Sequence, residues 1–301
     1  MTEFYSELDR LYSGGDMAAV EAFLKKNISE QVEDSPALIG MYNELASFYR
    51  GTSRYEESAA AFNLALNRLK AEGLSSGIEY ATVLLNLAGL HRVMGETDRA
   101  IELFKLCIKT LEDDKLHSSY AYMSAINNLS ITYLEKGEFH LAQKYAKQVL
   151  ETVRSGGGEE HELATSLNNL ASIEIKMGDL TAAGNTIAQA LSIYEKMPEP
   201  DVHYAAALGT NASILRRNGD YQGALAGFEK ALELTNRFFG ENIEFAICKS
   251  SISEIYEVLG DTQRAIAELD GALSVLTKIL GSEHASVTSI RSKLELLKGK
   301  G

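Results

Sequence analysis

The sequence predicts an all-α fold, a solenoid of about 15 helices in which antiparallel helix pairs stack along the chain. A glycine or serine recurs at intervals of 42, 42, 41, 41 and 41 residues, at Ser53, Gly95, Gly137, Gly178, Gly219 and Gly260. Apolar residues at helical spacing flank each of these turn residues on both sides. Small residues recur seven positions before and five positions after each turn. Because one helix pair cannot bury its apolar side alone, such a repeat predicts a stacked array.

Residues 1–35 are predicted to form an N-terminal capping helix pair. Gly14 and Gly15 mark its turn. Its apolar face consists of Leu8, Leu11, Val20, Phe23 and Leu24. We expect this pair to cover the first repeat and to shield it from water.

Residues 36–280 are predicted to form six helix-pair repeats. The small column before the turns is Ala46, Ala88, Ser130, Ala171, Ala212 and Ser253. The small column after them is Ser58, Ala100, Ala142, Ala183, Ala224 and Ala265. Two helices approach closely only where side chains are short, so these columns predict the crossing point of each pair.

Residues 281–301 repeat the first half of the unit and predict a C-terminal capping helix from about Ala285 to Leu297. The three prolines, Pro36, Pro198 and Pro200, fall between helix pairs. We therefore expect a single repeat domain over residues 1–301, without an internal domain boundary.

The residues around the turns follow a recognisable pattern. In most repeats Leu and a small residue precede the turn, and Ala and a larger apolar residue follow it. An aromatic residue four positions before the turn is present as Tyr49, Tyr133 and Tyr256, whereas His91, Glu174 and Leu215 stand there in the other repeats. This pattern resembles the tetratricopeptide repeat family, whose common repeat has about 34 residues. The resemblance covers roughly residues 36–297 and implies a right-handed superhelix.

The longer period is similar to that of the kinesin light chain subtype of the family. That subtype often carries Leu-Asn-Asn-Leu-Ala in its first helix, which residues 167–171 reproduce. The resemblance implies that the first helices line the inner wall of the array, with residues ten, nine, six and three positions before each turn facing a groove.

Two sets of residues at these positions are candidate peptide-binding residues. The amide set is Asn43, Asn86, Asn127, Asn128, Asn168 and Asn169, and the set nearer the turns is Arg50, Arg92, Leu134, Ile175 and Arg216. An amide both donates and accepts hydrogen bonds, so it can pair with a peptide backbone of any sequence. Arginine can hold a carboxylate through two hydrogen bonds. The alternatives are that the amides tie adjacent first helices together and that the arginines are solvated surface residues.

No catalytic residue, metal site or cofactor is predicted. Neither a phosphate-binding glycine loop nor a nucleophile elbow occurs in the sequence. His161-Glu162 lacks the second histidine that a zinc helix requires, because Thr165 stands four residues later. His284 follows a glutamate at the same place in its repeat, so both histidines are expected to make local capping contacts.

Composition limits the partners. The 42 acidic and 29 basic side chains give a net charge of −13, which argues against nucleic acid. We expect a cytoplasmic protein, because Met1–Arg10 lacks an export signal and no segment is apolar enough to span a bilayer. Cys107 and Cys248 are expected to be reduced and packed.

These observations favour a non-enzymatic scaffold or adaptor that binds an extended peptide segment of another protein in its groove. The alternatives are a peptide-sensing regulator that acts on an effector protein and a scaffold that associates with itself. A homo-oligomer is compatible with each of them.

Overall fold

The computed structural model describes residues 2–32, 35–156 and 159–299, and these residues form fifteen α-helices and no strand. The predicted all-α class is confirmed. Residues 1, 33, 34, 300 and 301 of the two predicted caps lie outside the described residues. The helices are α1 Thr2–Gly14, α2 Met17–Ser29, α3 Ala37–Gly51, α4 Tyr55–Ala71, α5 Gly77–Val93, α6 Thr97–Asp113, α7 Tyr120–Glu135, α8 Phe139–Gly156, α9 Glu160–Met177, α10 Leu180–Tyr194, α11 Val202–Arg217, α12 Tyr221–Phe239, α13 Ile243–Val258, α14 Thr262–Leu280 and α15 Ala285–Lys298.

The helices form two compact units, residues 1–152 and residues 153–301. In the first unit α3 pairs with α4 and α5 with α6, and the first helices α3, α5 and α7 contact their neighbours. In the second unit the pairs are α9 with α10, α11 with α12 and α13 with α14. There α9 contacts α11, and α11 contacts α13. Each unit therefore presents a face built from consecutive first helices, as a helical-repeat solenoid does.

The six turn residues share one backbone conformation. All have positive φ, from 60° at Ser53 to 84° at Gly219. Glycine adopts this left-handed conformation without the steric cost that a Cβ imposes. The glycine column of the sequence is therefore explained by the local geometry of the turn between the two helices of each pair.

Replacing Gly137 by alanine is expected to lower the free energy of unfolding by about 1–2 kcal/mol. Gly137 has φ of 82°, and an added Cβ would meet no other atom within 4 Å, so the cost comes from the backbone alone. Ser53→Gly is the matched control, because it relieves the same conformation and should leave stability unchanged or raise it by less than about 1 kcal/mol. Urea unfolding followed by circular dichroism measures both, and equal effects of the two changes would contradict this account.

Both small columns lie at the buried crossing points of the helix pairs. Each of their twelve residues is at most 2% exposed. Three of them are serines, and each donates a hydrogen bond to the carbonyl of its opposite residue in the other column. These bonds are Ser58 Oγ to Ala46 at 2.7 Å, Ser130 Oγ to Ala142 at 2.8 Å and Ser253 Oγ to Ala265 at 2.7 Å. Serine is tolerated at this position because its buried hydroxyl is satisfied across the crossing.

The terminal helices pack on the repeats beside them. Phe4 and Leu8 of α1 and Val20 and Leu24 of α2 share one buried cluster with α3. At the other end, Val287 of α15 packs with Phe245, Ala246, Ala272, Val275 and Leu276. Leu294 and Leu297 complete the contact on α14. These helices cover apolar surface that a terminal repeat would otherwise expose.

Two further features concern membrane-spanning helices and the state of the cysteines. None of the described helices has both the length and the apolar character needed to cross a bilayer. Cys107 and Cys248 are free and buried, and burial raises the pKa of the Cys107 thiol to about 12.

Candidate functional site

The second unit contains a cavity on the face of its first helices. It has a volume of about 610 Å³ and is lined mainly by α9, α11 and α13. This volume lies within the range of about 300–1,000 Å³ that is typical of ligand sites. The cavity occupies the face that the resemblance assigned to the inner wall.

The middle helix contributes small residues to the lining of the cavity. Ala205, Ala206, Gly209 and Ser213 of α11 all line it. An added Cβ at Gly209 would meet no atom within 4 Å, so the space above this residue is open. Ile247 of α13 borders the cavity and is 56% exposed. The lining thus combines a floor of small residues with an apolar side wall.

Side-chain caps position the helices that form the cavity. Asp201 precedes α11, and its carboxylate accepts a hydrogen bond from the Tyr204 backbone N–H at 2.8 Å. Asn242 precedes α13, and its Oδ1 accepts from the Phe245 N–H at 2.9 Å. These caps satisfy N–H groups that the first helical turn leaves free. They also set where the lining residues of α11 and α13 begin.

The charges of the cavity are arranged along the helices. Lys176, Arg216 and Arg217 line it near the C-terminal ends of α9 and α11, where helix dipoles favour cations. Glu244 lines it at the start of α13. Arg216 Nη1 lies 2.9 Å from Glu254 Oε2, so an acid of the next repeat already engages this arginine. Lys176 and Arg217 are exposed to a ligand.

Cys248 is a further part of the cavity lining and is 9% exposed. Burial, followed by the charge of Glu244, raises the pKa of its thiol to about 11. The thiol is therefore protonated near neutral pH and packs as a small apolar group.

Of the eleven residues predicted from the sequence, Ile175 and Arg216 line this cavity. Every one of the eleven is at least partly buried. The structure places Asn43, Arg50, Asn86, Arg92, Asn127, Asn128 and Leu134 in the first unit, and Asn168 and Asn169 on α9 in the second.

Several predicted residues bind one another or their own helix. Asn86 Nδ2 donates to Asn43 Oδ1 at 2.9 Å, which ties α5 to α3. Asn128 Nδ2 donates to the Ser124 carbonyl of its own helix at 2.8 Å. Arg92 Nη1 lies 2.7 Å from Glu135 Oε1 of the next first helix. The hydrogen bond between Asn43 and Asn86 agrees with the alternative interpretation of the amide set, in which the amides tie adjacent first helices together.

Asn168 differs from the other amides. Its Oδ1 is buried and has no hydrogen-bond partner among the described residues. A buried amide oxygen without a hydrogen bond loses its hydration and gains no partner in return, which is costly.

Sequence reasoning missed Gly209, Ser213 and Ile247 of the cavity. Gly209 and Ser213 stand ten and six positions before their turn, where the resemblance places inner-wall residues. A search of these positions for small residues, in addition to polar ones, would have indicated the cavity. Ile247 stands outside the four positions considered.

His161 and His284, which stand at the same place in their repeats, make different contacts. His284 caps α15, because its Nδ1 accepts from the Ser286 N–H at 3.2 Å, as predicted. His161 does not make the predicted local contact. Its Nε2 lies 2.7 Å from Asp201 Oδ2, so it joins the start of α9 to the cap of α11. No group of three or more potential metal ligands occurs among the residues that the structure describes.

Paired helices with buried small crossing points, left-handed turns and a face of parallel first helices define a helical-repeat protein. The tetratricopeptide repeat model matches residues 38–113 and 122–196, and the chain belongs to the tetratricopeptide repeat family. Its repeat of 41–42 residues is longer than the common tetratricopeptide repeat of about 34 residues. This family and fold are typical of non-enzymatic scaffolds that bind proteins or peptides.

Solved structures with the same fold have low sequence identity to the chain. A tetratricopeptide repeat protein from Parabacteroides merdae is 16% identical, with a TM-score of 0.69, over 99% of this chain and 98% of that one. Kinesin light chain-like repeats from Podosopora anserina are 16% identical, with a TM-score of 0.59, over 69% and 99%. A Rap protein complexed with competence and sporulation factor is 13% identical, with a TM-score of 0.64, over 93% and 80%. No curated protein sequence matches the chain at a significant level.

Proposed function

We propose that the chain is a non-enzymatic interaction scaffold that binds an extended peptide segment of a partner protein along its first helices. The observation that carries this proposal is the cavity of about 610 Å³ between α9, α11 and α13. Its small floor, at Ala205, Gly209 and Ser213, accepts an apolar side chain of the segment. Asn168 lies on the same helix as Ile175, and after a rotation of its side chain its unpartnered amide oxygen supplies an acceptor for a backbone N–H of the segment.

In this proposal Asn168 and Asn169 belong to the same surface of the second unit, and the predicted residues of the first unit form a binding surface of that unit. Each hydrogen bond to the segment contributes about 0.5–1.5 kcal/mol net. Micromolar affinity corresponds to about 8 kcal/mol, so several repeats must act together. The partner is a protein or peptide rather than nucleic acid, and we place this interaction in the cytoplasm.

A second candidate is a regulator that responds to a bound ligand. One observation favours it: a Rap protein of the same fold is known in complex with competence and sporulation factor. In this alternative the bound segment changes the contacts of the chain with an effector protein, whereas a scaffold binds both without such coupling. Measuring effector affinity with and without the segment distinguishes the two.

Filling the cavity is expected to weaken peptide binding at least tenfold. The variant is Gly209→Leu, whose side chain would occupy the open space on α11. Peptides selected from a random display library on the full chain are the probe, and isothermal calorimetry on the selected peptides gives Kd. Leucine favours helix over glycine, so the fold should be retained.

Gly184→Leu is the matched control, because Gly184 is also a helical glycine with no atom within 4 Å of an added Cβ and lies outside this cavity. It should leave Kd unchanged. Failure to select any peptide, or equal binding by Gly209→Leu and wild type, would overturn the proposed function.

A further inference from the structure

Two opposite charges on α3 lack a compensating partner among the described residues. Glu44 and Arg50 are both half-buried. Glu44 stands nine positions before its turn and Arg50 three, so both occupy inner-wall positions of the first repeat. No ion pair of the described residues includes either side chain. A half-buried charge without a partner loses hydration and gains no attraction in return.

The surroundings of Glu44 attract a cation. Tyr5, Asp9 and Tyr12 follow one another at helical spacing on a single face of α1. Burial, followed by the charge of Glu44, raises the pKa of Tyr5 and of Tyr12, so both phenols lie within the field of this carboxylate. Burial and then Asp9 raise the pKa of Glu44 itself. Two part-exposed aromatic rings beside carboxylates are suited to an ammonium or guanidinium group.

The surroundings of Arg50 attract an anion. Its Nη1 donates a hydrogen bond to the Asn86 carbonyl at 3.3 Å. Burial, followed by the charge of Arg92, lowers the pKa of Arg50. Arg92 is itself paired with Glu135, so Arg50 is the cation of this pair without a carboxylate among the described residues.

Gly89 makes room for the guanidinium of Arg50. An added Cβ at Gly89 would stand 3.1 Å from Arg50 Nη1, so any larger residue would crowd the guanidinium. Gly89 is six positions before its turn, which is another inner-wall position. The absence of a side chain there allows the guanidinium to lie over α5, where Nη1 reaches the Asn86 carbonyl.

We propose that the first unit recognises a pair of opposite charges in the bound segment. A lysine or arginine side chain of the segment lies between Tyr5, Tyr12 and Glu44, and an aspartate or glutamate side chain binds Arg50. This inference rests on the proposed function, because it assumes an extended peptide on the first helices. It adds a basic residue, which neither the sequence pattern nor the cavity of the second unit indicates.

The geometry sets the spacing of the two charges. Glu44 and Arg50 are six residues apart on α3, which is a rise of about 9 Å. Glu44 faces α1 and Arg50 faces α5, so about one interhelical distance, roughly 9 Å, separates them laterally. Because an extended chain advances about 3.3 Å per residue, the two charges in the segment should be about three to four residues apart.

A random peptide display library tests this proposal when it is selected in parallel on the full-length wild type, Glu44→Gln and Arg50→Gln. Peptides enriched on the wild type should carry a basic and an acidic residue at the stated spacing. On Glu44→Gln the preference for the basic residue should fall to the library background while the acidic preference remains. On Arg50→Gln the acidic preference should be lost and the basic one kept.

Glu56→Gln and Arg99→Gln are the matched controls, since they remove the same charges from exposed positions on α4 and α6. Both should retain the wild-type preferences. Circular dichroism establishes that each variant is folded. Enriched peptides whose charges do not change between wild type, Glu44→Gln and Arg50→Gln would overturn the charge-pair proposal and leave the proposed function standing. Selection of no peptide at all would overturn both.

Discussion

Replacing Phe104 by alanine is expected to lower the free energy of unfolding of the first unit by about 3–5 kcal/mol. Phe104 is 0% exposed on α6 and stands nine positions after the turn residue Gly95. Its removal deletes a whole ring from the interior of a helix pair. The surrounding helices relax only in part, so the cost includes the cavity that remains.

Urea unfolding followed by circular dichroism measures this loss, and hydrogen exchange assigns it to the first unit. Leu106→Ala is the control on the same helix, because Leu106 is 42% exposed and should cost less than about 1 kcal/mol. Similar losses for the two variants would show that α6 does not bury the face that the repeat pattern predicts.

Replacing Ala212 by leucine should destabilise the second unit by about 1–3 kcal/mol or more, because the crossing point has no space for three further carbon atoms. Ala212 is 0% exposed on α11. An added Cβ on Gly227 of α12 would already lie 3.0 Å from the Ala212 Cβ, which shows how closely these two helices approach.

Ala206→Leu is the paired comparison on the same helix. Ala206 is exposed and faces the cavity, so leucine there should leave the free energy of unfolding nearly unchanged. Thermal unfolding followed by circular dichroism compares the two variants. A tolerated leucine at position 212, with no fall in the transition temperature, would disprove the role of the small column.

The turns and crossing points were predictable because each depends on the size of a single residue. A left-handed turn needs a residue without a Cβ clash, and a close crossing needs short side chains. These requirements recur with the repeat, so they appear in the sequence as columns. Ser53, with φ of 60°, shows that the position of the turn was recognised even where the residue is not glycine.

The site was predicted less completely. Ile175 and Arg216 were identified. The floor of the cavity was not, because it is formed by small residues of α11, and small residues were not considered as candidates. The predicted local contact of His161 was also wrong, because its Nε2 contacts Asp201, which lies 40 residues away in the sequence. Asn86 and Asn43 bind each other across two repeats, a pairing that depends on the separation and rotation of neighbouring helices.

The repeat length, the helix pairs, their turns and their buried crossing points could all be read from the amino-acid pattern. Each follows from local steric demands and from the need to cover one apolar face. Which first-helix side chains pair with one another became apparent from the folded structure alone. That choice depends on how side chains about 41 residues apart meet across stacked helices. Arg216 and Glu254 meet in this way and neutralise each other, whereas Glu44 and Arg50 remain without an ion-pair partner among the described residues.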